Sequence, residues 1–547
     1  MKKRLLITLC TFILILGLGS MGAMAADLQP VNDLKTDYAN AINNTFTWAK
    51  QGETQIFNSK YLSASQGLVG GTFGDWTAIG VGRYFYSDNW QGYLNALENY
   101  VSKEYSANNG LLDRAKSTEW QRIALAVLAL DGDPRSFGTY QGKKIDLIAD
   151  GTYNCPFDPW RQGINGAIWA LITLDAKNYE VPDNAKYDRA DFIDYIIKSE
   201  VAGGGFDLAG KTADPDITGM ALQALAPYYS TNNEVKEVVD RALAKLSELQ
   251  TENGGFITYG IENPESAVQV MVALCALGID PATDSRFTKN GKTLFDSLYT
   301  FYNQKDGGFI HSFETDPNNP TMTAGESNIM ATDQVRYALI AYSRFVNGET
   351  RLYDFTDIPV HSITFSDVKR GSWYYMSVYD LVSQGILAGK GNNLYEPNGN
   401  VTRGEFAKIL AAATLSEDEL NANYNGAAAF NDSNNWAKKY INWAASVGVV
   451  NGTGNNNFSP NANISRQDMA VMIARYAANV QKVTLPVKNP AITFSDDAKI
   501  ASYAKDAVAA MQKAGIINGK GDNLFAPREN ATRAEAAKMI SYFLKLI

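Results

Sequence analysis

Histidine and cysteine are scarce, with two of the first and three of the second in 547 residues. Cys10 lies in an apolar leader, so Cys155 and Cys275 remain, too few for a disulfide-stapled scaffold. Cys275 sits in the run VALCALG and is expected to be a buried thiol, while its pairing with Cys155 stays open. His311 and His361 are too few for a histidine-rich metal centre, and neither metal nor cofactor is expected. Basic charge is in deficit too. Without Lys2, Lys3 and Arg4 of the leader, 46 basic residues face 58 acidic ones, a net charge near −12. A nucleic-acid partner would want a basic face and is not expected. Beyond the leader no stretch approaches ~18 consecutive apolar residues, so no membrane span is expected either.

The leader is the first positive signal. Lys2, Lys3 and Arg4 precede the apolar run Leu5 to Leu18, and Ala23-Met24-Ala25 offers a small-residue cleavage site. This is the pattern of a secretory signal peptide over residues 1–25, which predicts export.

The C-terminal third is an internal triplicate. FSDVKRGSWYY from Phe365, FNDSNNWAKKY from Phe430 and FSDDAKIASYAKD from Phe494 each lead into a glycine-rich turn and a helical segment. Those segments open with VTRGEFAKIL, ISRQDMAVMI and ATRAEAAKMI. The triplicate resembles S-layer homology domains, over 363–425, 426–490 and 491–547. The resemblance implies a three-lobed, mostly helical module. It would hold an exported protein non-covalently on secondary cell-wall polysaccharide, acidic or pyruvylated, of a Gram-positive-type envelope. The candidate contacts are Asp367, Trp373, Arg403, Asp432, Trp436, Arg466, Asp496 and Arg533. Tyr503 stands where the other copies have Trp373 and Trp436, which sets the third groove apart.

The residues support a binding role independently. Thr402 and Glu405, Ser465 and Asp468, and Thr532 and Glu535 have capping-box spacing. An arginine follows each cap, where the helix dipole disfavours a cation. Three in register suggest an anionic partner that uses guanidinium and helix amides together. The alternative, that each arginine pairs with an acid of the next copy, stays open.

Residues 26–355 carry a looser repeat, separated from the triplicate by a linker at 356–362. GGF recurs at 204–206, 254–256 and 307–309, and each is followed by a helix rich in alanine, leucine and glycine. Six such helices begin near Asp75, Glu119, Gln162, Asp216, Glu265 and Asp333, alternating with amphipathic ones such as NNEVKEVVDRALAKLSEL. Helices apolar all round must be buried, and amphipathic ones can form a shell around them. The expected fold is all-α, a closed α/α toroid of six helical hairpins. The segment resembles the prenyltransferase and squalene-cyclase repeat family, whose fold serves enzymes and binding modules alike.

ADPDITGMALQALAPYY, residues 213–229, reads as a helix start, with Asp214 as N-cap, Pro215 at N1 and Asp216 in the first turn. Asn263-Pro264-Glu265 repeats it and Asp158-Pro159 follows suit. Class II terpene cyclases carry Asp-x-Asp-Asp-Thr-Ala, and Ile217 replaces the third aspartate here. Asp216 is therefore expected to act only on the helix dipole, and a terpenoid enzyme is the least expected alternative. The helix starts still gather a rim of Asp75, Trp76, Glu119, Trp120, Trp160, Asp216, Glu265 and Asp333. Carboxylates ringed by aromatics suit a sugar or cationic ligand. The first expectation is a binding or display module whose ligand the sequence does not name. The alternative is a carbohydrate-active hydrolase or lyase, with Asp216, Glu265 and Glu119 as the catalytic candidates. The long loop from His311 to Ile329 is expected to cover the mouth.

Overall fold

The computed structural model describes residues 28–258, 260–319, 322–358 and 363–547. The expected signal peptide and residues 359–362 of the expected linker lie outside them. The chain forms two compact units, Met1–Asp357 and Ile358–Ile547. It is mostly helical, and the strands among the described residues are two two-residue hairpins, at 139–144 and 257–262.

Among the described residues twelve α-helices build the first unit. Even-numbered ones are the apolar series: α2 (Thr72–Arg83), α4 (Thr118–Ala129), α6 (Ile164–Asp175), α8 (Pro215–Leu225), α10 (Pro264–Ala276) and α12 (Ile329–Val346). Odd-numbered ones are α1 (Tyr38–Lys50), α3 (Trp90–Ala107), α5 (Leu147–Gly151), α7 (Arg189–Lys198), α9 (Asn233–Leu249) and α11 (Leu294–Thr300). The burial pattern follows the composition. Every residue of α10 from Pro264 to Cys275 is buried, whereas α9 buries only Val235, Val238, Val239, Ala242, Leu243 and Leu246, one stripe at helical spacing.

Each even helix packs on the next, α2 on α4 through to α10 on α12, and α12 packs on α2. The series therefore closes on itself. Its backbones lie close: a Cβ at Gly82 would stand 2.1 Å from the Ala129 carbonyl oxygen. Odd helices lie against even ones, α5 on α4, α7 on α6, α9 on α8 and α11 on α10, while the first helix, α1, packs on the last, α12. Tyr93 of α3 reaches α2 by donating to Asp75 (2.7 Å).

The first two GGF segments share one turn, and the third closes a turn one residue longer, from Asn303 to Gly308. In the second copy the Gly254 amide donates to Thr251 O and the Thr251 amide to Gly255 O, which buries Phe256 completely. Gly254 has φ +84°, and a Cβ there would meet the Thr293 carbonyl oxygen at 2.3 Å, so only glycine fits. Two helix starts differ from expectation. Asp158-Pro159 caps a short 3₁₀ turn over Pro159–Gln162, and α6 begins after Gly163. The start of α12 at Ile329 leaves Asp333 in its second turn. Beyond α12 the chain folds back, burying Leu352, Tyr353 and Phe355, and Asp357 receives Arg83 (2.9 Å) and Arg344 (2.5 Å).

The second unit holds α13 (Tyr375–Ser383), α14 (Arg403–Ala412), α15 (Glu417–Tyr424), α16 (Lys438–Ser446), α17 (Arg466–Tyr476), α18 (Lys505–Lys513) and α19 (Arg533–Leu544). One hydrophobic cluster runs through all three repeats and includes Tyr395, Phe458, Phe525, Trp443 and Phe543. Three backbone bonds close a cycle within it: Val401 N to Ala531 O (3.0 Å), Ala531 N to Ile464 O (2.9 Å) and Ile464 N to Val401 O (2.9 Å). No repeat completes its own core.

Candidate functional site

In the second unit the three aspartates do the same job. Both carboxylate oxygens of Asp367 accept backbone amides, from Tyr395 (2.9 Å) and Glu396 (2.7 Å). Asp432 holds Phe458 and Ser459 in the same way, and Asp496 holds Phe525 and Ala526. The second residue of each pair has a left-handed backbone, with φ of 60°, 58° and 56°. Each aspartate thus fixes a strained loop of its own repeat.

Each arginine crosses to the next repeat in the cycle. Arg403 stacks on Phe458 and its Nε donates to that residue's carbonyl (2.9 Å); Arg466 does the same to Phe525 (2.8 Å) and Arg533 to Tyr395 (2.7 Å). Arg466 also pairs with Glu535 at 2.5 Å. The helix amides cross too: those of Arg403 and Gly404 donate to Ala462 and Pro460, those of Arg466 and Gln467 to Glu529 and Pro527, those of Arg533 and Ala534 to Gly399 and Pro397. The third amide of each helix goes to the cap side chain of Thr402, Ser465 or Thr532. The expectation that these amides hold an anion is corrected, because protein acceptors already use them.

Two seams are alike and the third differs. Trp373 and Trp436 are 45% and 53% exposed, each at a seam whose helix carries a small residue, Ala534 or Gly404, and a lysine one turn later, Lys538 or Lys408. Lys538 lies over the Trp373 ring (5.4 Å), and burial pushes its ammonium below the ordinary lysine range. At the remaining seam Gln467 replaces the small residue and Val471 the lysine. Gln467 donates to the Tyr503 hydroxyl (3.2 Å) and accepts the Ala501 amide (3.0 Å), and that hydroxyl donates to Asp468 (2.7 Å).

In the first unit the structure sorts the expected rim. Arg122 donates to both Asp75 (2.9 Å) and Glu119 (2.7 Å), and Arg336 pairs with Asp333 (2.6 Å). Trp120 is completely buried and donates to Tyr105 (2.6 Å), while Trp160 stacks on Tyr195 of α7 (4.2 Å). Trp76 instead joins Trp169 (5.2 Å), Tyr337 (5.6 Å) and Tyr353 (6.2 Å) in one aromatic cluster.

Asp216 and Glu265 have no arginine. Asp214 is the N-cap, accepting the amides of Asp216 (2.9 Å) and Ile217 (3.0 Å). Asp216 does more than sit in a first turn. Burial, with the charges of Asp214 and Glu265 adding to it, pushes its carboxyl up to about 7, and its Oδ1 has no hydrogen-bond partner. Glu265 shares His311 with Asp316, at 2.9 Å from Nδ1 and 3.1 Å from Nε2. Burial opposes a charge on this imidazole, but the two carboxylates raise it to about 9. The start of the long loop is thereby tied to α10. His311 and Asp316 were not expected as partners from sequence, and Trp169 and Gln269 were missed as well, although Gln269 lies one helical turn after Glu265. Among the described residues no cluster of histidine, cysteine and acidic groups could hold a metal ion. Cys155 and Cys275 are free and buried, and among the described residues no helix is long and apolar enough to cross a membrane.

The S-layer homology domain family matches residues 364–407, 429–470 and 493–537. The second unit carries three S-layer homology domains. The chain is 34% identical over 185 residues to an endoglucanase of Bacillus sp. (strain KSM-635), which is 34% of this chain and 19% of that protein. It is 37% identical over 177 residues to an amylopullulanase of Thermoanaerobacterium thermosulfurigenes, 32% of this chain and 9% of that protein. The S-layer protein sap of Bacillus anthracis is 30% identical over 179 residues, 32% of this chain and 21% of its own. The chain thus spans about a fifth or less of these relatives, and the matches to the two glycosidases fall mainly on the S-layer homology region. The protein belongs to the cell-wall, S-layer surface.

Proposed function

We propose that the protein is held non-covalently on secondary cell-wall polysaccharide by its S-layer homology domains and displays the first unit there as an α/α toroid that binds a ligand. The observation that carries the anchoring is the pair of exposed tryptophans, Trp373 and Trp436, each at a seam crossed by an interlocked arginine, with Lys538 over the Trp373 ring and Lys408 over the ring of Tyr440, which adjoins Trp436. Aromatic faces suit sugar rings and the cations suit acidic substituents. Trp373 with Lys538 and Arg533, and Trp436 with Lys408 and Arg403, form the receptive grooves; at the third seam Tyr503, although 58% exposed, is held through its hydroxyl by Gln467 and Asp468, and Val471 stands in place of the lysine. The toroid reading is supported by the closed series of even helices and the sheath of odd ones.

A second reading, a carbohydrate-active enzyme, is favoured by one observation, the carboxyl of Asp216 raised to about 7 beside Glu265. The glycosidase relatives lend it nothing, since they are matched mainly through their anchoring region.

Washing cells with a chaotrope or with soluble wall polysaccharide should release the intact protein. Release by protease or muramidase alone would contradict non-covalent anchoring.

A further inference from the structure

Asp216 and Glu265 are each the second residue of neighbouring helices, α8 and α10, and Gly219 packs against Gln269 about one turn further along, so the two acids stand near one level. Glu265 is 6% exposed, with Oε1 bonded to His311 and Oε2 bonded to nothing; Asp216 Oδ1 is likewise buried and unbonded. A buried acceptor without a donor costs about 1–3 kcal/mol. Arginines remove that cost from Asp75, Glu119 and Asp333 but not from these two. His311 cannot serve both, because its two nitrogens are committed to Glu265 and Asp316.

One turn further along α10 the Gln269 side chain donates to the Tyr337 hydroxyl (2.5 Å), and Tyr337 adjoins Trp76, which adjoins Trp169. The bond from Gln269 sets the Tyr337 hydroxyl, and with it the aromatic cluster, one helical turn along α10 from Glu265. Trp76 and Trp169 are only partly buried. Unbonded carboxylate oxygens lie beside aromatic faces, and with Glu265, Asp316 and Asp216 set against His311 the cluster is net negative. A ligand must bring N–H donors, positive charge and an apolar body.

We propose that Asp216, Glu265, Trp76, Trp169 and Tyr337 form a subsite for the primary ammonium group of a small amine, with the ammonium on the two carboxylates and its hydrocarbon part on the tryptophans. This rests on the reading of the first unit as a ligand-binding module.

Calorimetric titration of the full chain with n-hexylamine, n-hexanol and cellohexaose tests it. The amine should bind at least about tenfold more tightly than the alcohol, and Asp216→Asn, which keeps the side-chain shape, should abolish that preference while the melting curve stays cooperative. Equal affinities for amine and alcohol, or an unchanged preference in Asp216→Asn, would overturn the assignment. Cellohexaose binding without amine binding would overturn the ammonium subsite and leave the ligand-binding reading standing; no binding by any probe would remove both.

Discussion

Asp214 and Asp216 differ by two positions and have opposite effects on stability. Asp214→Ala removes an N-cap that holds two amides and should cost ~0.5–2 kcal/mol in chemical denaturation. Asp216 has its folded pKa near 7, above the ~3.9 of an unfolded aspartate. Between about pH 4 and about pH 7 the folded state therefore binds the extra proton, so this group lowers stability progressively as the pH rises through that window. Asp216→Asn should raise the melting temperature at pH 8, by the equivalent of about 1–2 kcal/mol given the partial exposure of the side chain, with the gain vanishing near pH 4. A loss at pH 8 would mean that the carboxylate is stabilised by a donor. The sequence shows the cap because Asp-Pro and Asn-Pro starts are local; it does not show the raised acid, because that depends on burial and on Glu265 of α10, a neighbour only in the fold.

Elements were legible where one face decided them. The stripe on α9 and the continuous burial of α10 follow from residue pattern alone, whereas the start of α6 was misplaced because Asp158-Pro159 caps a turn instead. The GGF turn gives a test at this scale: Gly254→Ala should destabilise the first unit by roughly 1–3 kcal/mol, since its Cβ would strike the Thr293 carbonyl in a left-handed backbone. A melting temperature like that of the unaltered chain would show the turn to be dispensable. The arginines in register were visible, but their acceptors were not. All three bind carbonyls of another repeat, about 55 to 138 positions away in sequence. Arg466 is the most tightly held of the three, 6% exposed and salt-bridged to Glu535, so its side chain supports the fold itself. Arg466→Ala should lower the melting temperature of the second unit, by about 1.5–3 kcal/mol in stability.

At the scale of the whole molecule, repetition was the strongest signal in the sequence, and its meaning is cooperative. Because each repeat lends its amides and arginine to the next and receives the same in return, deleting residues 491–547 should unfold the remaining two repeats as well, seen as lost helical circular dichroism. Two repeats that stay folded would show the cycle to be unnecessary. The sequence already sets the third copy apart through Tyr503; what it does not show is that Gln467 and Asp468 of the second copy bind that tyrosine across the seam. That inequality of the seams is where the account of anchoring is most exposed. The decisive measurement is binding of the full chain to purified wall sacculi that carry their polysaccharide, with Trp373→Ala/Trp436→Ala compared against Tyr503→Ala. The double variant should lose about tenfold or more in affinity while Tyr503→Ala binds as the unaltered chain does. Equal losses, or a double variant that still binds fully, would contradict it.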